Sequence, residues 1–483
     1  MNQQVRQLKP SELWQNFADI NAIPRASKKE AQIIQFMKSF GEKLKLPVSV
    51  DEAGNVLITK PASAGFGNRT PLVLQSHLDM VHQKNSGTDF DFAKSGIIME
   101  VAGDWVKAAG TTLGADNGIG VAAIMSILAS DSIEHPPLEA LFTIDEETGM
   151  TGAMALKGGL LKGRILLNLD TEDDTEITIG CAGGLDITAS YNYEEIIPEN
   201  DSAHTITVKG LTGGHSGMDI HLGRGNANKI INRILHALLK DNLAEVAMID
   251  GGSLRNAIPR EARAVIAVKT VNSAKVTAII DDLKNTLEKE YAHTDPALEI
   301  VMEKAPFPGK VIEKKFLLNL VRGIYSCPSG IYRMSSDING LVQSSNNLAK
   351  VNVAGGKFQA QCLCRSSVDS EKLDLFNAIA AAFELCGARV AATDGYPGWT
   401  PDPSSPILQL MKTIYAEKFG KEPHVSAVHA GLECGILGRN YPGMQMVSFG
   451  PNIRGAHSPD EKVQISSVQK FWEYLLEILK RIP

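Results

Sequence analysis

Apolar residues recur in two rhythms along this chain. Residues 10–21 and 27–44 space Leu, Ile, Phe and Met at helical intervals, with Pro24 breaking the pattern between them. Short apolar runs then predict strands at 48–50, 55–59 and 72–75. Residues 119–128, rich in Ala, Ile and Met, predict a buried helix, and 138–144 and 165–169 predict two more buried strands. Strands alternating with helices predict an α/β unit with a mostly parallel central sheet. Near residue 185 the rhythm changes. Strands such as 205–208 and 264–268 interleave with amphipathic helices at 226–240, 273–291 and 371–386, an α+β pattern that allows two units in tandem. From about 400 the first rhythm returns, with a helix at 405–419, an apolar run at 444–449 and a closing helix at 466–481. The expected organisation is a catalytic domain in two parts, 1–185 and 400–483, split by an inserted α+β domain at 186–399.

Polar residues collect where the predicted strands end. Leu141-Phe142-Thr143-Ile144 runs into Asp145-Glu146-Glu147-Thr148-Gly149. Adjacent carboxylates at the rim of a buried sheet repel, and stay charged only where water, a base or a cation compensates them. Further ligand-type residues lie just past their own apolar runs: His77 and Asp79, Asp116, Asp170 and His457. Parallel α/β sheets gather ligands beyond the carboxyl ends of their strands, where these residues fall. His77 and Asp79 are two apart at a strand end and share a face, which suits a metal ligand oriented by a carboxylate. Asp116 stands where a helix begins, so capping is its ordinary role, although a carboxylate can also bridge two cations.

Two imidazoles with several carboxylates are the ligand mix of zinc and other borderline divalent metals. Two such ions close together can clamp an attacking water and polarise a carbonyl. Glu146 and Glu147 can then divide the work, one binding metal and the other taking the water's proton. No short-spaced HExxH occurs, so spacing alone also allows a solvated acidic turn.

Two other motifs fail. Gly214-His215-Ser216-Gly217-Met218 has Met218 where a nucleophile elbow requires its second glycine. Gly118-Ile119-Gly120-Val121-Ala122-Ala123 spells a dinucleotide fingerprint without an apolar strand leading into it, and close helix packing explains its glycines better.

Composition narrows the classes. With 483 residues there is room for two or more domains, and 43% hydrophobic with 21% charged residues is ordinary for a globular protein. A net charge of −7 argues against nucleic acid or an anionic membrane as partner, and no apolar run reaches spanning length. Residues 1–6 lack the apolar core and cleavage site of a signal peptide, so a cytoplasmic location is expected. Cysteines 181, 327, 362, 364, 386 and 434 form no CxxC and read as free thiols in a reducing compartment. Cys362 and Cys364 would share a strand face, which is half of a soft-metal site at most.

Five segments occur in a telling order: Ser76-His77-Leu78-Asp79, Gly114-Ala115-Asp116-Asn117-Gly118, Asp145-Glu146-Glu147-Thr148-Gly149, Asn168-Leu169-Asp170-Thr171-Glu172 and Gly455-Ala456-His457-Ser458-Pro459. In this order the chain resembles the co-catalytic dizinc peptidases, the family of peptidase T and carnosinase, over essentially its whole length. His429-Ala430-Gly431-Leu432-Glu433-Cys434-Gly435 resembles the branch that takes Xaa-His dipeptides. The resemblance implies two Zn²⁺ per subunit, with Co²⁺ or Mn²⁺ as alternatives. His77 and Asp170 would hold one ion, Glu147 and His457 the other, and Asp116 would bridge them. Asp79 would orient His77, Glu146 would be the general base, and a cis peptide would join Asp116 to Asn117.

Within the inserted lid domain, the resemblance makes His215 an oxyanion donor and Asn256 and Arg365 substrate contacts; His429 and Glu433, in the second part of the catalytic domain, are further expected substrate-binding positions. The implied activity is hydrolysis of small unblocked dipeptides. An N-acyl amino acid amidohydrolase, a tripeptidase, or a metal-binding protein without turnover are the alternatives. Helices 226–240 and 273–291 would either form a homodimer face or cover their own sheet.

Overall fold

The strand Leu72–His77 is buried at every position, which is why its sequence shows no polar alternation. In the computed structural model, which describes residues 2–393 and 395–483, it lies inside an eight-stranded sheet. The sheet order is Val48–Val50, Val56–Lys60, Leu138–Thr143, Leu72–His77, Ile165–Asn168, Gln445–Ser448, Glu176–Cys181 and His424–Val428. Leu72–His77 pairs in parallel with Leu138–Thr143 on one edge and with Ile165–Asn168 on the other, and Gln445–Ser448 continues the parallel run. The chain therefore leaves the strand Leu72–His77 to build first on one side and then on the other. Such a switch point opens a crevice at the strands' carboxyl ends.

Antiparallel pairs flank this centre. Val48–Val50 and Val56–Lys60 are joined by a short turn and pair antiparallel, as do Val56–Lys60 with Leu138–Thr143 and Gln445–Ser448 with Glu176–Cys181. A small four-stranded sheet pairs Ile453–Arg454 with Lys462–Gln464, and beyond them Trp105–Ala108 and Met99–Ala102. It pins both ends of the loop 455–461.

The helix Ala115–Ala129 is buried almost throughout, consistent with its uniformly apolar sequence. Its glycines are packing devices: a Cβ on Gly120 would lie 2.4 Å from Ser76 Oγ and 2.9 Å from the Leu169 carbonyl oxygen. The helix expected at 27–44 is shorter, Ala31–Lys43, because Lys28 adopts a positive φ of 65°. That expected at 371–386 runs instead over Asp369–Glu384, with Asp369 and Glu371 in its first turn, where the helix dipole favours acids.

These elements belong to a compact unit made of Met1–Gly180, Pro401–Ala427 and Leu432–Pro483; a second comprises Cys181–Thr400 and Val428–Gly431. The second unit holds one nine-stranded sheet rather than two tandem sheets. Its halves are joined by Ile249↔Val353, Asp250↔Asn352 and Gly251↔Val351, pairings that local sequence does not reveal. The helix Ala227–Lys240, capped by the Asn226 side chain, and the helix Ser273–Glu290 bury their apolar faces in this unit's core and so cover their own sheet. All six cysteines are buried, Cys362 and Cys364 within that core. No helix among the described residues is long and apolar enough to cross a membrane.

Candidate metal centre

Three parallel strands end side by side and deliver the site. His77 ends its strand opposite Thr143, and Gln75 lies opposite both Leu141 and Asn168. The loops that follow carry Asp79, Glu146 with Glu147, and Asp170. Asp116 comes from the turn entering the helix Ala115–Ala129, and His457 from the loop 455–461.

These residues meet as two overlapping groups. His77 Nε2 lies 3.0 Å from Asp116 Oδ1 and 3.4 Å from Asp170 Oδ1. His457 Nε2 lies 2.9 Å from Glu147 Oε2 and 3.4 Å from Asp116 Oδ2. Each group's ligand atoms fall within 4.8 Å of one another. Tetrahedral ligands at zinc bond lengths sit about 3.3 Å apart, so this spacing suits one ion per group. Asp116 gives one oxygen to each. It does not cap its helix: the cap position is Gly114, no side-chain cap bond is made, and Asp116 itself has a non-helical ψ of 108°. The Asp116–Asn117 peptide is cis, as the resemblance implied.

A donor set built for cations should hold acceptors that nothing in the protein satisfies. Glu147 Oε1 is such an atom, buried and without a hydrogen-bond partner. The fields agree. Burial would lower the His77 pKa, yet Asp170, Asp116 and Asp79 hold it well above its ordinary value. His457 is raised to about 11 by hydrogen bonds to Asp116 and Glu147. Burial pushes Glu146 well above its usual range; His77 opposes this, while Asp170, Glu433 and Glu147 add to it. Burial beside Asp116 and Asp170 lifts Glu172 to about 8. So much negative potential at one point favours cations strongly.

Asp79 joins the two halves of the rim. Its Oδ1 lies 3.3 Å from His77 Nδ1 and accepts the Glu146 N–H at 3.0 Å, while Oδ2 accepts the Glu147 N–H at 3.3 Å and the Ser27 hydroxyl at 2.8 Å. A third carboxylate group, Glu30, Asp79 and Asp145, is accounted for locally: Thr148 and Thr151 donate to Asp145, and the Lys28 N–H to Glu30.

One strand step beneath the ligands lies a buried polar layer that sequence reasoning missed as a layer. Gln75 and Thr143 both donate to Glu433 Oε2 at 2.7 Å, and Asn168 donates to Gln75 Oε1 at 2.5 Å. Gln75, Thr143 and Asn168 each precede a rim acid or ligand by two residues, and this period of two was the available signal. Glu433 Oε1 has no partner, and burial raises the carboxyl to about 7. Arg25 and Glu461, described below, gave no sequence signal.

The second unit groups the other expected residues. His215 Nδ1 accepts the N–H groups of Gly217 (3.2 Å) and Met218 (3.0 Å), which places the proton of the neutral ring on Nε2. Burial and the Arg365 charge lower its pKa and keep it neutral. Buried Arg365 donates to the Tyr396 hydroxyl at 2.8 Å and leaves Nε unpartnered. His429, lowered to about 3 by burial and Arg365, lies 2.7 Å from Ser345 Oγ through Nε2 and leaves Nδ1 unpartnered. A Cβ on Gly217 would stand 2.3 Å from the His429 carbonyl oxygen and 3.2 Å from Arg365 Nε, so only glycine fits there. Asn256 is exposed and joins the group through its carbonyl, which accepts the Ser216 N–H at 2.8 Å.

Fold and centre are those of a metallopeptidase. The chain belongs to Peptidase family M20/M25/M40, which it matches over residues 73–481, and is a hydrolase of peptide bonds. It is 41% identical over 481 residues to the cytosol non-specific dipeptidase of Escherichia coli K12, covering 99% of each chain. Among solved structures it is similar to aminoacylhistidine dipeptidase from Vibrio alginolyticus, with 41% identity, a TM-score of 0.94, and coverage of 99% of this chain and 98% of that one. An aminopeptidase from Bacillus cereus shares the fold at a TM-score of 0.57 and 15% identity, over 98% of this chain and 99% of that one.

Proposed function

We propose that this chain is a dipeptidase that hydrolyses unblocked dipeptides, Xaa-His among them, with two zinc ions held by His77, Asp116, Asp170, Glu147 and His457. The observation carrying this reading is the division of the Asp116 carboxylate, one oxygen toward each imidazole. Imidazole nitrogens mixed with carboxylates favour zinc, and cobalt or manganese suit the same donors. Bound there, the ion pair supplies Lewis-acid polarisation of the scissile carbonyl and acidifies water.

The chain's own groups then do the rest. Glu146 takes the proton of the attacking water on its carboxylate and returns it to the leaving amine. Asp79 holds the Glu146 backbone and the His77 ring in place. His215 donates Nε2–H to the oxyanion, a role its tautomer and neutral state support. Glu433 receives the substrate ammonium on its free oxygen, and Arg365, with His429 and Asn256, receives the carboxylate. The name of the Escherichia coli relative supports dipeptides as substrates and the cytosol as location, and that of the Vibrio relative supports Xaa-His specificity.

Stripping the metal with a chelator and restoring zinc, across free dipeptides, N-acylated amino acids and tripeptides, tests the reading. Turnover of free dipeptides should vanish and return. Preference for N-acylated or three-residue substrates, or turnover indifferent to metal, overturns it.

A further inference from the structure

We infer that Glu461 is a positioning residue that sets the bridging carboxylate of Asp116 against His457 and thereby governs affinity for both ions; this rests on the metal-pair reading above. Glu461 is 2% exposed and lies at the end of the loop that carries His457. Its Oε2 accepts the N–H groups of Leu113 (2.6 Å) and Gly114 (2.8 Å), and its Oε1 those of Ala115 (2.7 Å) and Asp116 (3.3 Å). Four consecutive backbone donors thus converge on one carboxylate. Burial lifts this carboxyl to about 7, with the Gly114, Asp116 and Leu113 N–H groups drawing it back toward the charged form.

The same turn is gripped from its carbonyl side. Arg25, fully buried, donates to the Gly114 carbonyl at 2.5 Å, and to the carbonyls of Leu78 (3.1 Å) and Asp79 (3.0 Å) in the loop after His77. Gly114 has a φ of +70°, and a Cβ there would stand 2.4 Å from the Arg25 guanidinium. The turn delivering Asp116 is therefore held in one conformation by an acid and a base acting on opposite edges of its backbone.

The other end of the Glu461 link is equally tight. The Glu461 N–H donates to the Ser458 carbonyl at 3.1 Å, the Ser458 N–H to the Gly455 carbonyl at 3.2 Å, and Ile453–Arg454 and Lys462–Gln464 clamp the loop's base. One side chain therefore ties the ligand-bearing turn to the ligand-bearing loop. Asp116 gives an oxygen to each group, so a shift of its turn disturbs both ions. Loss of His457 removes a ligand from one.

The test titrates chelator-treated, metal-free protein with zinc against a competing chelator, for the wild type, Glu461→Gln and His457→Ala, with the melting temperature of each metal-free protein measured alongside. In Glu461→Gln an amide NH₂ faces two N–H donors, and affinity for both ions should fall about tenfold or more, whereas His457→Ala should weaken one. Overturning the inference takes a lowered melting temperature with either affinity within about threefold of wild type, since a purely structural cap acts that way. If His457→Ala leaves both affinities unchanged, the metal-pair reading itself fails. Should Glu461→Gln not fold, Glu461→Asp, charged but one methylene shorter, carries the same comparison with the same two outcomes.

Discussion

Glu146 is tied to Asp79 by its backbone: its N–H donates to Asp79 Oδ1 at 3.0 Å, the oxygen that also lies 3.3 Å from His77 Nδ1. One buried carboxylate therefore fixes the proposed base and a proposed ligand together. Burial acts to raise the Asp79 pKa, but the His77 ring, the Glu146 N–H and the Ser27 hydroxyl hold it below its ordinary value, so it stays charged. Asp79→Asn keeps the shape and removes the charge. Zinc affinity should fall about 10–100-fold with kcat falling alongside, as metal titration and steady-state kinetics would read. Unchanged affinity would confine Asp79 to holding the loop.

Glu146→Gln should retain both metals and lose kcat by about 10²–10⁴-fold, because the amide cannot take a proton from water. Elemental analysis and kinetics on the same sample decide this. Near-normal turnover would remove Glu146 from the base role.

His215→Ala deletes a donor whose proton is placed on Nε2 by two backbone bonds to Nδ1. The expected cost is about 2.7–4 kcal/mol of transition-state stabilisation, seen in kcat. A change confined to KM would assign His215 to ground-state binding instead.

Glu433 titrates from a usual value near 4.5 to about 7 because it is buried. A raised carboxyl contributes stability fully below its unfolded pKa and loses it as pH rises through the folded one. Glu433→Gln cannot ionise. The metal-free variant should match wild type near pH 5 and exceed it at pH 8 by on the order of 1–3 kcal/mol, read by denaturant unfolding. The same variant should raise KM for free dipeptides through loss of the proposed partner of the substrate ammonium. Equal stability at both pH values would place the Glu433 titration outside this window.

Elements with strong periodicity were legible locally. The runs that became Leu72–His77, Leu138–Thr143 and Ile165–Asn168 are apolar because they are buried on both faces of the sheet, and their carboxyl-end polar residues stood out against that background. The helix Lys314–Ser326 went unread, as did the strand Val342–Ala354 and its hairpin with Lys357–Ser366, of which only the strand face of Cys362 and Cys364 was expected. The hairpin holds Gln343, Ser344, Ser345, Asn346 and Asn347 buried, polar residues that look like a loop until their partners are known.

Residue type and order along the chain were sufficient to single out His77, Asp116, Glu147, Asp170 and His457 as candidates, which the fold brings together, because ligand-type chemistry is carried by the side chain itself. Which oxygen of Asp116 serves which imidazole, the tautomer of His215, and the grip of Glu461 and Arg25 on one turn were decided by the tertiary structure alone. Those properties depend on backbone donors and acceptors, which every residue carries alike, so nothing in the order of side chains marks them until the fold brings 113–116 against 461.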